Sequence, residues 1–446
     1  MAGRQGGAGA WIPHPAGRCG IHAAAHVQGG LTMMNILIDE FSPLFLSIDR
    51  VGPFQERMEV FDFTDSNDEP CNVYLMISKN GRGKTTVMEM MAAMMNMLGK
   101  TECSSLDFES FDRELGRAQW DVRLTINRGG RKETVILSLL AGAMGEESSL
   151  KLWGESDLRK YGASRWCRFG FVRNAFGRYS MVGRGDEWVQ DFNILIQNSI
   201  GERLSGFESD ELTFPTLIYF SAYRNIIRMP ADDRAIVAPR DWNYRPVHIF
   251  DVEGRDWRDS LDNLLVWLKW LDDGRYEAAV EAINKRVFFV GDKQLYAGKR
   301  LKGVRKEPPE AIIEAGGEEH RLDRLSSGEK SLVQLYLRLG AHMTRNTILL
   351  IDEPEVHLHR NMQYETLYAL FKLAASHFPN VGVFIATHSE RMMKAFALNI
   401  REENLRKGAY IIETAEEEDK AEAIAKAAAE RNWSVNSGEH EQNQGG

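Results

Sequence analysis

The sequence predicts an α/β fold with a mixed sheet, accompanied by an antiparallel β-subdomain and a helical insertion. Three observations predict it. A glycine-rich loop, Ser78-Lys79-Asn80-Gly81-Arg82-Gly83-Lys84-Thr85-Thr86, stands between a short apolar run and a helix-forming stretch. A second apolar run, at residues 347–351, ends in Asp352-Glu353. Between them lie paired strand-like runs and one apolar-periodic helix. A parallel strand buried on both faces reads as nearly unbroken apolar sequence, and crevices form at the carboxyl ends of such strands.

Composition bounds the rest. The chain has 446 residues, 43% of them hydrophobic, enough for one large core or two domains. A net charge of -9 excludes a blanket nucleic-acid coat, so any such contact must come from a local basic patch. Cys19, Cys71, Cys103 and Cys167 show no metal-type spacing and read as reduced thiols of a cytoplasmic protein. No apolar run reaches the ~20 residues of a membrane span. The Met-rich residues 88–97 are too short and are broken by Glu89 and Asn96.

Residues 1–33 are Gly/Ala-rich, with no acid before Asp39, and read as a disordered extension before Met33 or Met34. Residues 44–48 and 59–63 flank Val51-Gly52-Pro53-Phe54 and predict an antiparallel pair. Residues 72–77 predict a buried strand, and residues 85–98 a helix stopped by Gly99. Residues 119–127 and 132–140, around Arg128-Gly129-Gly130-Arg131, predict a hairpin. Residues 214–222 read as another buried strand. Residues 257–271 read as a helix, Asp272-Asp273-Gly274 as its stop, and residues 276–285 as a second helix. Residues 299–306 read as a short basic loop and residues 311–314 as a strand. A helix over 330–339, strands at 347–351 and 381–386, a helix at 391–397 and a strand at 409–413 follow. From Thr414 the charged, Ala-rich and then Asn/Gly/Gln-rich sequence reads as a solvated helix and a frayed tail.

The chemistry sits in four places. A glycine loop opening a helix offers backbone N–H groups and the positive helix end to phosphate. Gly81 and Gly83 permit the turn, Lys84 supplies a point charge, and Thr85 supplies a hydroxyl for Mg2+. Ser78 stands where the strict pattern has glycine. Asp352, at a strand end, suits Mg2+, directly or through water, and Glu353 suits a base toward an attacking water. Ser326 or Ser327, before Gly328 and Glu329, caps the next helix and makes a second anion-directed N-terminus. His388 follows another strand and can donate to a phosphate. His357 and His359 fit a loop better than a metal pair.

Taken together, Asn80-Gly81-Arg82-Gly83-Lys84-Thr85, Leu325-Ser326-Ser327-Gly328-Glu329, Ile351-Asp352-Glu353-Pro354 and Thr387-His388-Ser389 resemble the Walker A, signature, Walker B and switch-histidine motifs of ABC-type ATPases. The Asn-Gly-x-Gly-Lys-Thr form, and Glu-Pro-Glu-Val-His-Leu-His beginning at Glu353, resemble the SMC, RecF and OLD-type branch and the AAA-family ATPases of prokaryotic anti-phage systems. The resemblance covers residues 34–100 and 320–412 and is silent over most of the middle. It implies an ABC-ATPase head: an N-terminal half with the P-loop (34–100), an inserted region (101–319), a C-terminal half (320–413) and a polar tail (414–446). It implies ATP and Mg2+, with Asn80, Gly81, Arg82, Gly83, Lys84, Thr85 and Thr86 on nucleotide and Thr85 and Asp352 on the metal. It implies Glu353 as catalytic base, His388 on the γ-phosphate, and a homodimer in which Ser326, Ser327, Gly328 and Glu329 reach the ATP of the other copy. The glutamine that joins the metal shell in the family has no clear counterpart, Gln119 being a positional guess.

The expected function is an ATP-driven mechanochemical switch acting on an effector or a nucleic acid in defence or DNA repair. The alternative is the nucleotide-binding subunit of a transporter, against which the long middle region stands. No acidic cluster outside the site suits two metals, so a nuclease or toxin effector is expected on a separate chain. Arg159, Lys160, Arg165, Arg168, Arg173, Arg178 and Arg184, interleaved with aromatics and free of acids, are the expected DNA, RNA or partner surface.

Overall fold

The computed structural model describes residues 36–78, 81–201, 213–230, 234–252, 256–288, 298–376, 380–397, 404–411 and 434–437. The N-terminal extension, Asn80 and most of the tail lie outside the described residues.

Seven strands form the central sheet: β3 (Val73–Ile77), β8 (Pro215–Phe220), β9 (Val247–Phe250), β13 (Asn346–Asp352), β14 (Asn380–Thr387), β15 (Lys407–Ile411) and β16 (Ser434–Ser437). Their order is β16-β15-β3-β14-β13-β8-β9, and every pairing is parallel. The unbroken apolar runs are explained by burial on both faces. Tyr74, Met76, Ile348, Leu350, Phe384 and Ala386 point into one core, and Val73, Leu75, Leu349, Ile351, Val383 and Ile385 into the other.

The mixed character lies in a second sheet. Here β1 (Ile36–Asp49), β2 (Glu59–Asp62), β4 (Arg117–Arg128), β5 (Arg131–Gly142), β6 (Arg165–Arg173) and β7 (Tyr179–Val182) run in the order β2-β1-β4-β5-β6-β7. Its pairs are antiparallel except β5–β6. The expected pair and hairpin are both present, with Phe45 opposite Asp62 and Arg128 opposite Arg131.

Helix α1 (Lys84–Met95) lies in the core between these sheets. Met88, Met90, Met91, Met94 and Met95 are buried, so the methionines predicted for a helix rather than a membrane fill an irregular interior gap. Each such burial contributes about 1.5–3 kcal/mol, which outweighs the ~1 kcal/mol of a side-chain cap that α1 lacks. Helices α2 (Glu109–Asp112), α3 (Glu155–Lys160) and α4 (Glu187–Ser199) follow, and α4 adds Trp188, Val189, Phe192 and Ile196 to the same core.

The helical insertion is α5 (Leu261–Leu271) and α6 (Arg275–Arg286), with Asp272 taking the left-handed conformation at the break. They pack with β10 (Arg300–Lys306) and β11 (Pro309–Ala315), which form a three-stranded sheet with β12 (Glu318–Arg321). Residues 299–306, expected as a loop, are thus mostly a strand. Cross-strand pairs carry it: Arg300 with Glu314, Lys302 with Glu314 and Glu319, and Arg305 with Glu310. The tail expectation is corrected at residues 434–437, which pair with β15. Helix α7 (Ser327–His342) joins the two halves of the molecule. Leu335 and Leu339 face the central sheet, while Leu332, Val333 and Leu337 face the insertion. Helices α8 (Arg360–Ala375) and α9 (Glu390–Ala397) complete the second core.

Candidate nucleotide site

The central sheet's register brings the motifs together. Ile77, before the glycine loop, is opposite Thr387, and Asp352 is opposite Ala386. Three parallel strand ends therefore deliver Ser78, Asp352 and His388 to one edge, as the strand-end rule requires.

Helix α1 begins at Gly83, whose φ of 95° is left-handed and whose side carries no cap. A Cβ there would lie 2.6 Å from Pro53 and 2.7 Å from Phe54, so this position needs glycine on two grounds. With no side-chain cap on this 12-residue helix, its first N–H groups suit an anion. Lys84 is buried, and its Nζ donates to Ser78 O at 2.8 Å and Ser78 Oγ at 3.1 Å. Ser78 has no positive φ, so the backbone does not require the glycine of the strict pattern there. Its hydroxyl adds an acceptor for Lys84 instead.

Thr85 Oγ1 donates to Asp352 Oδ2 at 2.6 Å, closing the gap between residues 267 apart in sequence. Burial first, and then the neighbouring charge of Glu353, raise the Asp352 carboxyl, although the Thr85 hydrogen bond opposes them. Burial, followed by the charges of Asp352 and Asp251, likewise raises Glu89 on α1. A hydroxyl and a carboxylate in contact, amid unfavourable negative charge, are the hard oxygen set that Mg2+ takes. The residues present fit such an ion.

Glu353 has φ 45°, and its N–H donates to Ala386 O at 2.9 Å. His388 Nδ1 lies 2.9 Å from Glu353 Oε1 and is half-exposed. Its first contact is therefore the expected base. Two residues escaped the sequence reading. Glu355, buried, accepts from the Thr387 hydroxyl and lies 4.0 Å from His388. Arg224, beyond β8, donates to the carbonyls of Asp352 and Glu353, both at 3.0 Å. Its one signal is its place after a parallel strand paired with β13.

At the signature turn the choice between the serines resolves. Ser326 is the N-cap and forms a capping box with Glu329, its Oγ accepting from Glu329 N at 3.4 Å and donating to Glu329 Oε2 at 2.8 Å. Glu329 is buried and also accepts from Lys299 Nζ at 2.8 Å, so it braces the turn rather than facing outward. Ser327 is left exposed at the first helical position. Gly328 packs against the loop after Glu353, where a Cβ would lie 2.7 Å from His357 O.

Other expectations place differently. Gln119 is fully buried on β4. Its amide donates to Asp121 Oδ1 and Lys151 O, both at 2.8 Å, and accepts from Leu150 N and Lys151 N, so it belongs to a β-sheet network and not to a metal shell. His357 and His359 are exposed in the loop. Among the described residues the one group of three possible metal ligands is Asp241, His248 and His342, against which Arg338 Nη1 lies 3.4 Å from Asp241 Oδ2. The basic stretch is largely engaged. Arg159 pairs with Glu155, Lys160 with Asp68, Arg165 with Asp186 and Arg168 with Glu147, while Arg173 donates to Phe111 O. Tyr161, Phe169 and Phe171 are core residues, which corrects the picture of an aromatic stacking face. Phe176 is 90% exposed, and Arg178 and Arg184 are exposed beside it in sequence.

Among the described residues no helix is long and apolar enough to cross a membrane. Residues 183–393 match the family described as "AAA domain, putative AbiEii toxin, Type IV TA system". The match begins after the glycine loop and includes the signature turn, Asp352-Glu353 and His388. No curated protein matches. Solved structures similar to the chain include the SMC head domain from Thermotoga maritima, at 13% identity over 79% of this chain and 92% of that one, with a TM-score of 0.32. The Smc head domain with an extended coiled coil bound to the C-terminal domain of ScpA, from Pyrococcus furiosus, is 13% identical over 80% and 92%, with a TM-score of 0.34. The ADP conformation of an ATP-binding cassette of an ABC transporter is 10% identical over 79% and 84%, with a TM-score of 0.26. Scores this low leave the fold to be read from the chain's own strand order. The glycine loop after β3, the acidic pair at the end of β13 and the capped signature turn thus lie in a chain whose residues 183–393 match an AAA domain family.

Proposed function

We propose that this ATPase is a switch: two copies close around ATP, and hydrolysis reopens them. The observation that carries the nucleotide reading is the 2.6 Å contact of Thr85 with Asp352, which joins the two halves of the motif set at one sheet edge. Gly81, Gly83, Lys84 and Thr86 would line the phosphates, with Asn80 and Arg82. Mg2+, held by Thr85 and Asp352, would neutralise charge on the phosphate oxygens. Glu353 would take the proton of the attacking water, with His388 holding its carboxylate before a γ-phosphate competes for the imidazole.

Ser327 supports closure between copies. Its neighbour Ser326 makes the cap, so an exposed hydroxyl remains at a helix N-terminus that α7's own turn does not need. The switch would act on a separate effector, a nuclease or toxin, or on a nucleic acid, in the cytoplasm. The matched family's description names a putative toxin of a type IV TA system, which supports a setting in defence.

The test is ATP-dependent size. Glu353→Gln, which keeps the shape and removes the base, should shift to a dimer or larger species on a sizing column with ATP and Mg2+. Lys84→Ala should neither bind nucleotide nor shift. A Glu353→Gln protein that binds ATP yet stays at one size would refute closure while leaving the ATPase intact.

A further inference from the structure

Arg224 reaches four acceptors on three chain segments at this site. It is 6% exposed, four residues past the end of β8. Its Nε donates to Ser331 Oγ at 3.0 Å, Nη1 to Ser221 O at 2.9 Å and Asp352 O at 3.0 Å, and Nη2 to Glu353 O at 3.0 Å. Burial pushes the guanidinium down to about 10, so it remains charged at neutral pH. A buried charge whose direct acceptors are carbonyls and a hydroxyl is costly, and a planar five-donor fork suits several fixed acceptors as no other side chain does.

Two features of these acceptors matter. Glu353 has a left-handed φ of 45°, unusual for a residue with a side chain, and such a conformation persists only where the surroundings hold it. Arg224 holds it from the carbonyl side, while Ala386 O takes the N–H. Ser331 lies four residues after Ser327, one turn further along the same face of α7. One side chain therefore spans from the signature helix to the backbone of the acidic pair.

We propose that Arg224 is a positioning residue: it ties the first turns of α7 to the Asp352–Glu353 backbone, so that the seating of α7 sets where the Glu353 carboxylate points. The proposal rests on the ATPase reading above. It differs from a plain structural clamp because the Ser331 end can be cut while the contacts to the loop remain.

The experiment is steady-state hydrolysis and fluorescent-nucleotide affinity of purified full-length wild type, Arg224→Lys, Ser331→Ala and Ser331→Thr, with thermal midpoints alongside. Arg224→Lys keeps the charge but loses the fork. Its kcat should fall about 10-fold or more while nucleotide affinity stays within about 3-fold. Ser331→Ala should lower kcat by about 3- to 10-fold, and Ser331→Thr, which keeps the hydroxyl, should restore it. A merely structural role would lower the thermal midpoint without a kcat-against-affinity split and without rescue by threonine. Wild-type kcat in Ser331→Ala would overturn the assignment, and this arm decides if Arg224→Lys does not fold. No hydrolysis by wild type would refute the ATPase reading and this inference together, whereas active wild type with equally active variants would remove this inference alone.

Discussion

Gly328→Ala tests how tightly the signature turn is seated on the acidic loop. An added Cβ would lie 2.7 Å from His357 O and 3.4 Å from Leu358 Cδ2. The nearer atom is backbone, so no side-chain rotation relieves the clash. Restoring an ordinary contact requires a shift of about 0.7 Å. That shift falls either on the first turn of α7 or on the loop, where Val356 N donates to Glu353 O at 3.1 Å and His357 has φ 66°. Either route displaces groups that must be placed closely for chemistry. A misplacement near 1 Å can cost about 100-fold, so kcat is expected to fall roughly 10- to 100-fold. Overpacking should lower stability by about 1–3 kcal/mol. Nucleotide affinity, which the proposed site assigns to Gly83 and Lys84, should stay within about 3-fold, since the same bound geometry is available. Gly340→Ala is the control: it lies on the same helix, a Cβ there meets nothing within 4 Å, and alanine should stabilise the helix by about 0.5–1 kcal/mol. The assay is kcat and nucleotide affinity for both variants with thermal midpoints. Wild-type kcat in a folded Gly328→Ala protein would refute the seating argument.

Two further outcomes follow from the structure. His248 and His342 are kept neutral chiefly by burial, well below 6.5, so the unfolded chain binds more protons once the pH drops beneath that value. Their contribution is fully present above pH 6.5 and lost as pH falls, at up to ~1.4 kcal/mol per unit for each. Asp121 and Asp262, pushed up to about 6 by burial, act in the opposite sense between pH 3.8 and 6. The informative quantity is therefore the difference between wild type and His342→Gln in urea, which should narrow toward pH 5; a constant difference would refute neutral burial. On the surface, Arg178→Glu with Arg184→Glu should weaken any nucleic-acid binding and reduce its salt slope by about 2, because these two are exposed rather than engaged in the sheet. An unchanged slope would remove this stretch as a phosphate-binding surface.

What was legible in the sequence was local. The glycine loop, a serine cap at 326 or 327, the hairpin at Gly129-Gly130 and the doubly buried strands each depend on residues within a few positions of one another. The errors involve partners far along the chain. Residues 300–306 look like a basic loop until Glu314 and Glu319 are brought opposite. Residues 159–184 contain no acid, yet Asp68, Glu147, Glu155 and Asp186 reach them from outside the stretch. Their aromatics alternate along β6, with Phe169 and Phe171 facing the core, and an interleaved pattern cannot by itself distinguish a strand from a stacking platform.

The same distinction separates the two halves of the nucleotide site. On the glycine-loop side the described geometry is local: Gly83 takes the left-handed turn, and Lys84 donates to Ser78 six residues away. The pose of Glu353 is not. Its N–H is held by β14, its carbonyl by Arg224 beyond β8, its carboxylate by His388, and the following loop by Gly328 at the start of α7. A short motif can therefore point to a candidate base but cannot orient it; orientation comes from several chain segments that meet only when the fold is complete. A helix bearing an exposed Ser327 at its tip and tied to that loop at both Gly328 and Ser331 is well placed to make hydrolysis depend on what lies against the tip.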